Sequence, residues 1–156
     1  MQHNIKKYIL TQEGLNNLKN EYDELTRIKR PQIAKRIQRA REFGDLSENS
    51  EYDAAKEEQS LLEARIAQLE TVLPKAQIIE QVTTTDFVVI GSKVVVEIEG
   101  QRDEFSIVGS MEANPAKKKI SNESPVGAAM LGAKVGEVVD VVTPIICAQY
   151  KILEIK

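Results

Sequence analysis

Apolar residues change their period once along this chain, near residues 76–82. From Thr11 to Leu73 they recur at spacings of three and four, the repeat of a helix with one buried face. Tyr52, Ala55, Gln59, Leu62, Ile66, Leu69, Leu73 and Ala76 form an unbroken a/d seam, in which Gln59 is the polar member. Leu15, Leu18, Tyr22 and Leu25 keep the same rhythm. The phase then slips by one residue and resumes at Ile33, Ile37 and Ala40. Pro31 lies at the slip, so the helix is expected to bend or reset there. Amphipathic helices of this length need a partner in water, and the nearest partner for each is the other. They are joined by Glu42-Phe43-Gly44-Asp45-Leu46. Gly44 suits a left-handed helix end, and Asp45 or Ser47 suits the next N-cap. The prediction is an antiparallel coiled-coil hairpin with arms Leu15 to Phe43 and Asp45 to Ala76, each reaching about 45 Å.

Beyond the switch the period shortens. Phe87–Ile90, Lys93–Glu99, Glu104–Val108, Val138–Thr143 and Ala148–Ile155 read as strands. Glu99-Gly100-Gln101 reads as a hairpin turn. Ser124 caps a short helix that begins at Pro125 and ends at Gly132. One helix against a small antiparallel sheet makes the second half an α+β domain. The expected domains are 1–78 and 79–156.

The length of 156 residues allows two small domains, and 42% apolar with 29% charged residues is a globular composition. With no Trp, three Phe and four Tyr, the core must come from Leu, Ile, Val and Ala. A net charge of −3 argues against a general nucleic-acid coat and leaves room for a local basic stripe. The lone Cys147 excludes an internal disulfide, and with the lone His3 it cannot build a tetrahedral zinc site. No apolar run suggests a signal peptide or membrane span. A cytoplasmic protein is expected.

Candidate chemistry concentrates at the turn of the hairpin. Gly44-Asp45-Leu46-Ser47-Glu48-Asn49 brings two carboxylates to the end of both arms. Carboxylate oxygens suit a hard cation such as Mg²⁺, but two of them fill only part of its shell. Such a site works only if another molecule supplies the remaining ligands. The alternative is a variant capping box, Asp45 as N-cap and Glu48 three residues later, stabilising the helix start. Arg27, Lys29, Arg30, Lys35, Arg36, Arg39 and Arg41 face an acidic stretch from Asp45 to Glu63, which suggests ion pairs across the hairpin. Near the turn, Arg41 and Lys56 are candidates to attract a nucleic-acid backbone. Lys117-Lys118-Lys119 reads as a solvated loop. Ser121 and Ser124 lack a histidine base, and the glycines at 127–136 lack phosphate-loop spacing. No self-contained active site is evident.

These residues resemble the GreA/GreB transcript cleavage factors of bacterial RNA polymerase, the GreA branch above all. The likeness runs through Leu10-Thr11-Gln12-Glu13-Gly14, Arg30-Pro31-Gln32-Ile33 and the whole turn from Ala40 to Tyr52. It continues through Ala54 to Gln59, Ile120-Ser121, Ser124 to Gly127, Ala129 to Gly132 and Val135-Gly136.

The resemblance implies an FKBP-like second domain that docks on the polymerase, with Ser121, Ser124, Pro125 and Gly127 as the expected docking segment. It implies a hairpin that enters the secondary channel. There Asp45 and Glu48 would share Mg²⁺ with the polymerase's own carboxylates, so that no metal is held by this chain alone. The factor would be no enzyme itself. It would stimulate the polymerase to cleave the 3′ end of backtracked nascent RNA, with Arg41 and Lys56 beside that RNA. A functional monomer is expected. Three rivals stand against this reading. A relative with the same fold could enter the channel and inhibit without stimulating cleavage; such relatives carry an altered acidic tip, whereas Asp45 and Glu48 are in place. A prolyl isomerase would need an aromatic pocket, and only Phe87, Phe105 and Tyr150 lie in the second domain. The third rival is a coiled-coil adaptor without catalytic consequence.

Overall fold

The computed structural model describes residues 7–44, 49–80 and 84–156. Contacts group them into two compact units: Leu15–Lys75, and the described residues of Met1–Gly14 together with Ala76–Lys156. By this grouping the helical unit is somewhat shorter than the expected first domain, 1–78. The chain start joins the sheet unit because strand β1 (Tyr8–Leu10) pairs in parallel with β2 (Ala76–Ile78).

In the helical unit, α1 (Gln12–Glu24) runs through a π-helical turn (Leu25–Lys29) into α2 (Arg30–Glu42), and α3 (Ser50–Val72) returns. The arms are antiparallel: Arg65 meets Glu21, Glu63 meets Arg30, and Glu58 meets Arg36. Ile33, Ile37, Ala55, Leu62 and Ile66 form the seam core, flanked by half-buried Tyr22, Leu25 and Tyr52. The phase slip has a structural cause. The Arg30 N–H bonds to the Leu25 carbonyl, five residues back, so the turn holds one residue more than an α turn. The reset therefore comes in the turn before Pro31, where the widened backbone makes room for a ring that would crowd an α-helical carbonyl.

The second arm also differs from expectation. It stops at Val72, Leu73–Lys75 form a 3₁₀ turn around Pro74, and Ala76 opens β2. Val72, 1% exposed, completes the buried stripe instead of Ala76.

The sheet unit has strand order β5-β4-β3-β7-β6, with β3 Lys93–Ile98, β4 Gln101–Val108, β5 Lys119–Ser121, β6 Val138–Val142 and β7 Cys147–Ile155. The sheet is mixed, not antiparallel throughout, because β5 lies parallel to β4. The connection from β4 to β5 carries two 3₁₀ turns, Ser110–Glu112 and Pro115–Lys117, which return the chain beside β4. β3 and β4 are joined at Glu99 and Gly100, both at positive φ (50° and 79°), the twist of a tight hairpin.

Val94, Val96, Ile107, Ile152 and Ile155 bury one face of the sheet against Met130 of α4 (Pro125–Met130). On β7 the inward residues run Tyr150, Ile152, then Ile155. The register shift opposite Val95 and Val96 flips the alternation there. Phe87–Ile90, expected as a strand, is a loop. Its Val88 is buried and exchanges backbone hydrogen bonds with the chain just after α4: Val88 N–H to Ala133 O at 2.9 Å, Gly132 N–H to Val88 O at 2.8 Å. Its polar backbone is thereby satisfied without a ladder.

Candidate functional site

The hairpin turn is bounded by Gly44 and Asn49. After α2 ends, the Phe43 N–H bonds to the Ala40 carbonyl at 3.3 Å, and Gly44 takes φ +124°, a conformation that a side chain would strain. Asp45 and Glu48, with Leu46 and Ser47, lie outside the described residues. What is visible is how their flanks are held.

The N-cap of α3 is Asn49. Its Oδ1 accepts the Tyr52 N–H at 3.1 Å, and its Nδ2 donates to the Ala40 carbonyl at 2.6 Å. One side chain thus caps the second arm and ties it to the last turn of the first. The expectation that Asp45 or Ser47 caps this helix is corrected. Asn, Asp and Ser cap about equally well, and the acids of the first turn, Glu51 and Asp53, place the start at Asn49. That acidic first turn is the signal by which Asn49 could have been found.

Behind the turn the opposed charges engage as expected. Arg30 forms a two-pronged pair with Glu63 at 2.8 and 2.9 Å. Outside the expected stretches, and with the charges reversed, Arg65 does the same with Glu21 at 2.6 and 2.8 Å. Arg36 bridges Glu51 at 3.0 Å and also reaches Glu58. The Arg30 hydrogen bonds hold the Glu63 carboxyl below its ordinary range. Arg41 and Lys56 behave differently. Arg41 is exposed and stacks over the Tyr52 ring at 5.9 Å, while the Lys56 ammonium donates to Gln59 Oε1 at 3.0 Å. Among the described residues neither forms an ion pair, so both retain positive charge close to the turn. Tyr52 is half-buried at the end of the seam core, where it also carries the Arg41 guanidinium.

The four residues expected to dock are brought together in one tight corner. Ser124 Oγ donates to the Ser121 carbonyl at 2.7 Å and accepts the Gly127 N–H at 3.1 Å, capping α4. Gly127 is buried, and a Cβ there would lie 2.0 Å from the Ser121 oxygen. The hydroxyl of Ser121 accepts the Glu123 N–H at 3.0 Å. These groups build the corner, and Pro125 is its exposed member.

No cluster of three potential metal-ligating side chains occurs among the described residues. Phe105 and Tyr150 pack against the sheet core, and Phe87 is 43% exposed. No described helix is long and apolar enough to cross a membrane.

Residues 8–78 match the family described as "Transcription elongation factor, N-terminal", and residues 83–156 match "Transcription elongation factor, GreA/GreB, C-term". This chain belongs to the GreA/GreB transcription elongation factor family. Relatives carry the same name along nearly their full length. Transcription elongation factor GreA of Acetivibrio thermocellus is 51% identical over 97% of either chain. That of Clostridium acetobutylicum is 50% identical over 97% of this chain and 98% of its own. The crystal structure of GreA factor homolog 1 of Thermus thermophilus is 32% identical, covers 97% of this chain and 99% of that one, and superposes with a TM-score of 0.45. The two family matches meet between residues 78 and 83, where the hydrophobic period changes. As a member of the GreA/GreB family the chain is a transcription elongation factor.

Proposed function

We propose that this elongation factor binds bacterial RNA polymerase and stimulates cleavage of the 3′ end of backtracked nascent RNA, so that arrested complexes restart. The observation that carries this reading is the capping of α3 by Asn49, which supplies the N-cap expected of Asp45 or Ser47. The capping explanation of the acidic pair loses its main ground, and a role toward a ligand remains.

Two carboxylates suit Mg²⁺ in chemistry and fall short of its octahedral shell in number. Asp45 and Glu48 would therefore share the ion with carboxylates of the polymerase. Bound between the two proteins, Mg²⁺ supplies charge neutralisation at the phosphodiester under attack. Asp45 and Glu48 would orient that attack. Arg41 and Lys56, cationic and free of carboxylates among the described residues, would draw the RNA backbone toward the turn. The bond-breaking machinery belongs to the polymerase, so the factor acts as an activator and not as an enzyme. The second domain would dock through the corner of Ser121, Ser124, Pro125 and Gly127. Each seam is paired within the chain, which supports a functional monomer. The place of action is the cytoplasm.

The test is direct. A purified, backtracked elongation complex with labelled RNA is incubated with the protein and Mg²⁺. Shortening of the RNA from its 3′ end, followed by resumed extension, is expected. Polymerase binding without shortening would contradict the proposal.

A further inference from the structure

Phe43 departs from the way this chain disposes of its other aromatic rings. Phe105 and Tyr150 pack against the sheet core, Tyr22 and Tyr52 flank the seam, and Tyr8 is half-buried. Phe87 is 43% exposed, whereas Phe43, the residue before Gly44, is 87% exposed. A ring left in water forfeits the apolar burial that an aromatic side chain otherwise brings to a fold. Its backbone is held nonetheless. The Phe43 N–H bonds to the Ala40 carbonyl at 3.3 Å, and the same oxygen accepts Asn49 Nδ2 at 2.6 Å. The last turn of α2 is thereby fixed from both sides of the hairpin, while the ring that follows it stays in solvent.

The same end of the hairpin carries two cations that form no ion pair among the described residues. Arg41, two residues before Phe43, lies over the Tyr52 ring at 5.9 Å, and Lys56 follows Tyr52 by one turn of α3. An exposed aromatic face accompanied by cations suits single-stranded nucleic acid, whose phosphates meet the charges while a base meets the ring. An apolar protein pocket would accept the ring and gain nothing from the charges. We propose that Phe43 stacks on an unpaired base of the displaced 3′ segment of the RNA, a role that rests on the cleavage function proposed above. The ring supplies neither charge nor proton. It restricts the segment while Arg41 and Lys56 hold its backbone, so that the phosphodiester is presented for attack in fewer orientations. Every base has a face to offer, and the larger purines overlap the ring most.

The test compares Phe43→Ala, Phe43→Leu and Phe43→Trp with the parent on two backtracked complexes, one displacing adenines and the other uracils. The ring is 87% exposed, so all three variants should fold and melt within about 2 °C of the parent. Phe43→Ala should slow 3′ cleavage of the adenine complex about tenfold, within the range that one base–aromatic stack carries. Phe43→Leu keeps apolar area without an aromatic face, and should be about as slow as Phe43→Ala. Phe43→Trp should match or exceed the parent. The loss on the uracil complex should be smaller, by about two- to threefold. A 4-thiouridine in the displaced segment should photocrosslink to the parent at Phe43. Parent-like rates in Phe43→Ala would overturn the stacking role. Full recovery by Phe43→Leu, or equal losses on both complexes without a crosslink, would overturn it as well and place the ring against the polymerase protein instead. A parent protein that causes no cleavage at all is a different result, and would overturn the functional reading on which this role depends.

Discussion

Asn49 bonds with its carbonyl oxygen to the start of one helix and with its amide to the end of another, and few side chains could do both. A Ser or Asp in its place could accept the Tyr52 N–H, but neither could donate to the Ala40 carbonyl in the same way. Asn49→Ala should therefore lower stability by about 1 kcal/mol through the lost cap alone, and leave the Ala40 carbonyl without its amide partner. Thermal melting followed by circular dichroism would measure it; an unchanged midpoint would contradict the described geometry. Asn49→Asp should restore the cap and not the tie, and so fall between the two. This residue was present in the sequence motif but was not recognised as the cap, because Asp45, Ser47 and Asn49 are all competent caps within five positions. Residue type could not choose among them. Backbone geometry does.

At the scale of elements, the two long arms were legible because a seam of eight positions at 3,4 spacing has little other explanation. Ile66 and Leu69 are 1% and 0% exposed, and Ile66→Ala should cost about 2–5 kcal/mol, read by denaturant unfolding. The phase slip was legible too, but not its cause. A slip states that one residue is extra somewhere between Leu25 and Ile33, and the π turn places it at Leu25–Lys29. The strands β1, β2 and β5 were missed because three residues are too few for alternation to register. Phe87–Ile90 misled in the opposite sense: an apolar run buried by a loop looks like a buried strand.

The ion pairs of the hairpin belong to this scale as well. Glu63 has a folded-state pKa below its ordinary value of 4.5, chiefly through the Arg30 hydrogen bonds. A depressed carboxyl adds stability that is fully present above the unfolded value and disappears as pH falls through the folded one. The melting temperature of the parent should thus exceed that of Glu63→Gln at pH 7, and the gap should close as pH drops below 4.5. Both partners are roughly half exposed, so the gap should also narrow in molar salt. A gap that grows on acidification would contradict the assignment.

For the whole molecule, each unit has its own core: the seam of Ile33, Ile37, Ala55, Leu62 and Ile66, and the sheet face of Val94, Val96, Ile107, Ile152 and Met130. The sequence showed two halves because the hydrophobic period changes between them. It did not show that the chain start crosses into the second unit, since that depends on β1 pairing with a strand roughly seventy residues away. The acidic pair was legible as residue types, as was its place between the arms. What speaks against the cap reading of the pair is a different residue, Asn49, which is the N-cap of α3. The central claim is that Asp45 and Glu48 serve RNA cleavage and not the stability of their own helix. Asp45→Ala combined with Glu48→Ala, compared with the parent on the same backtracked complex, tests it most directly. The account predicts that 3′ cleavage is lost while polymerase binding and the melting midpoint stay close to those of the parent. Persistent cleavage together with a sharp fall in melting temperature would show that the acids are there for the helix alone.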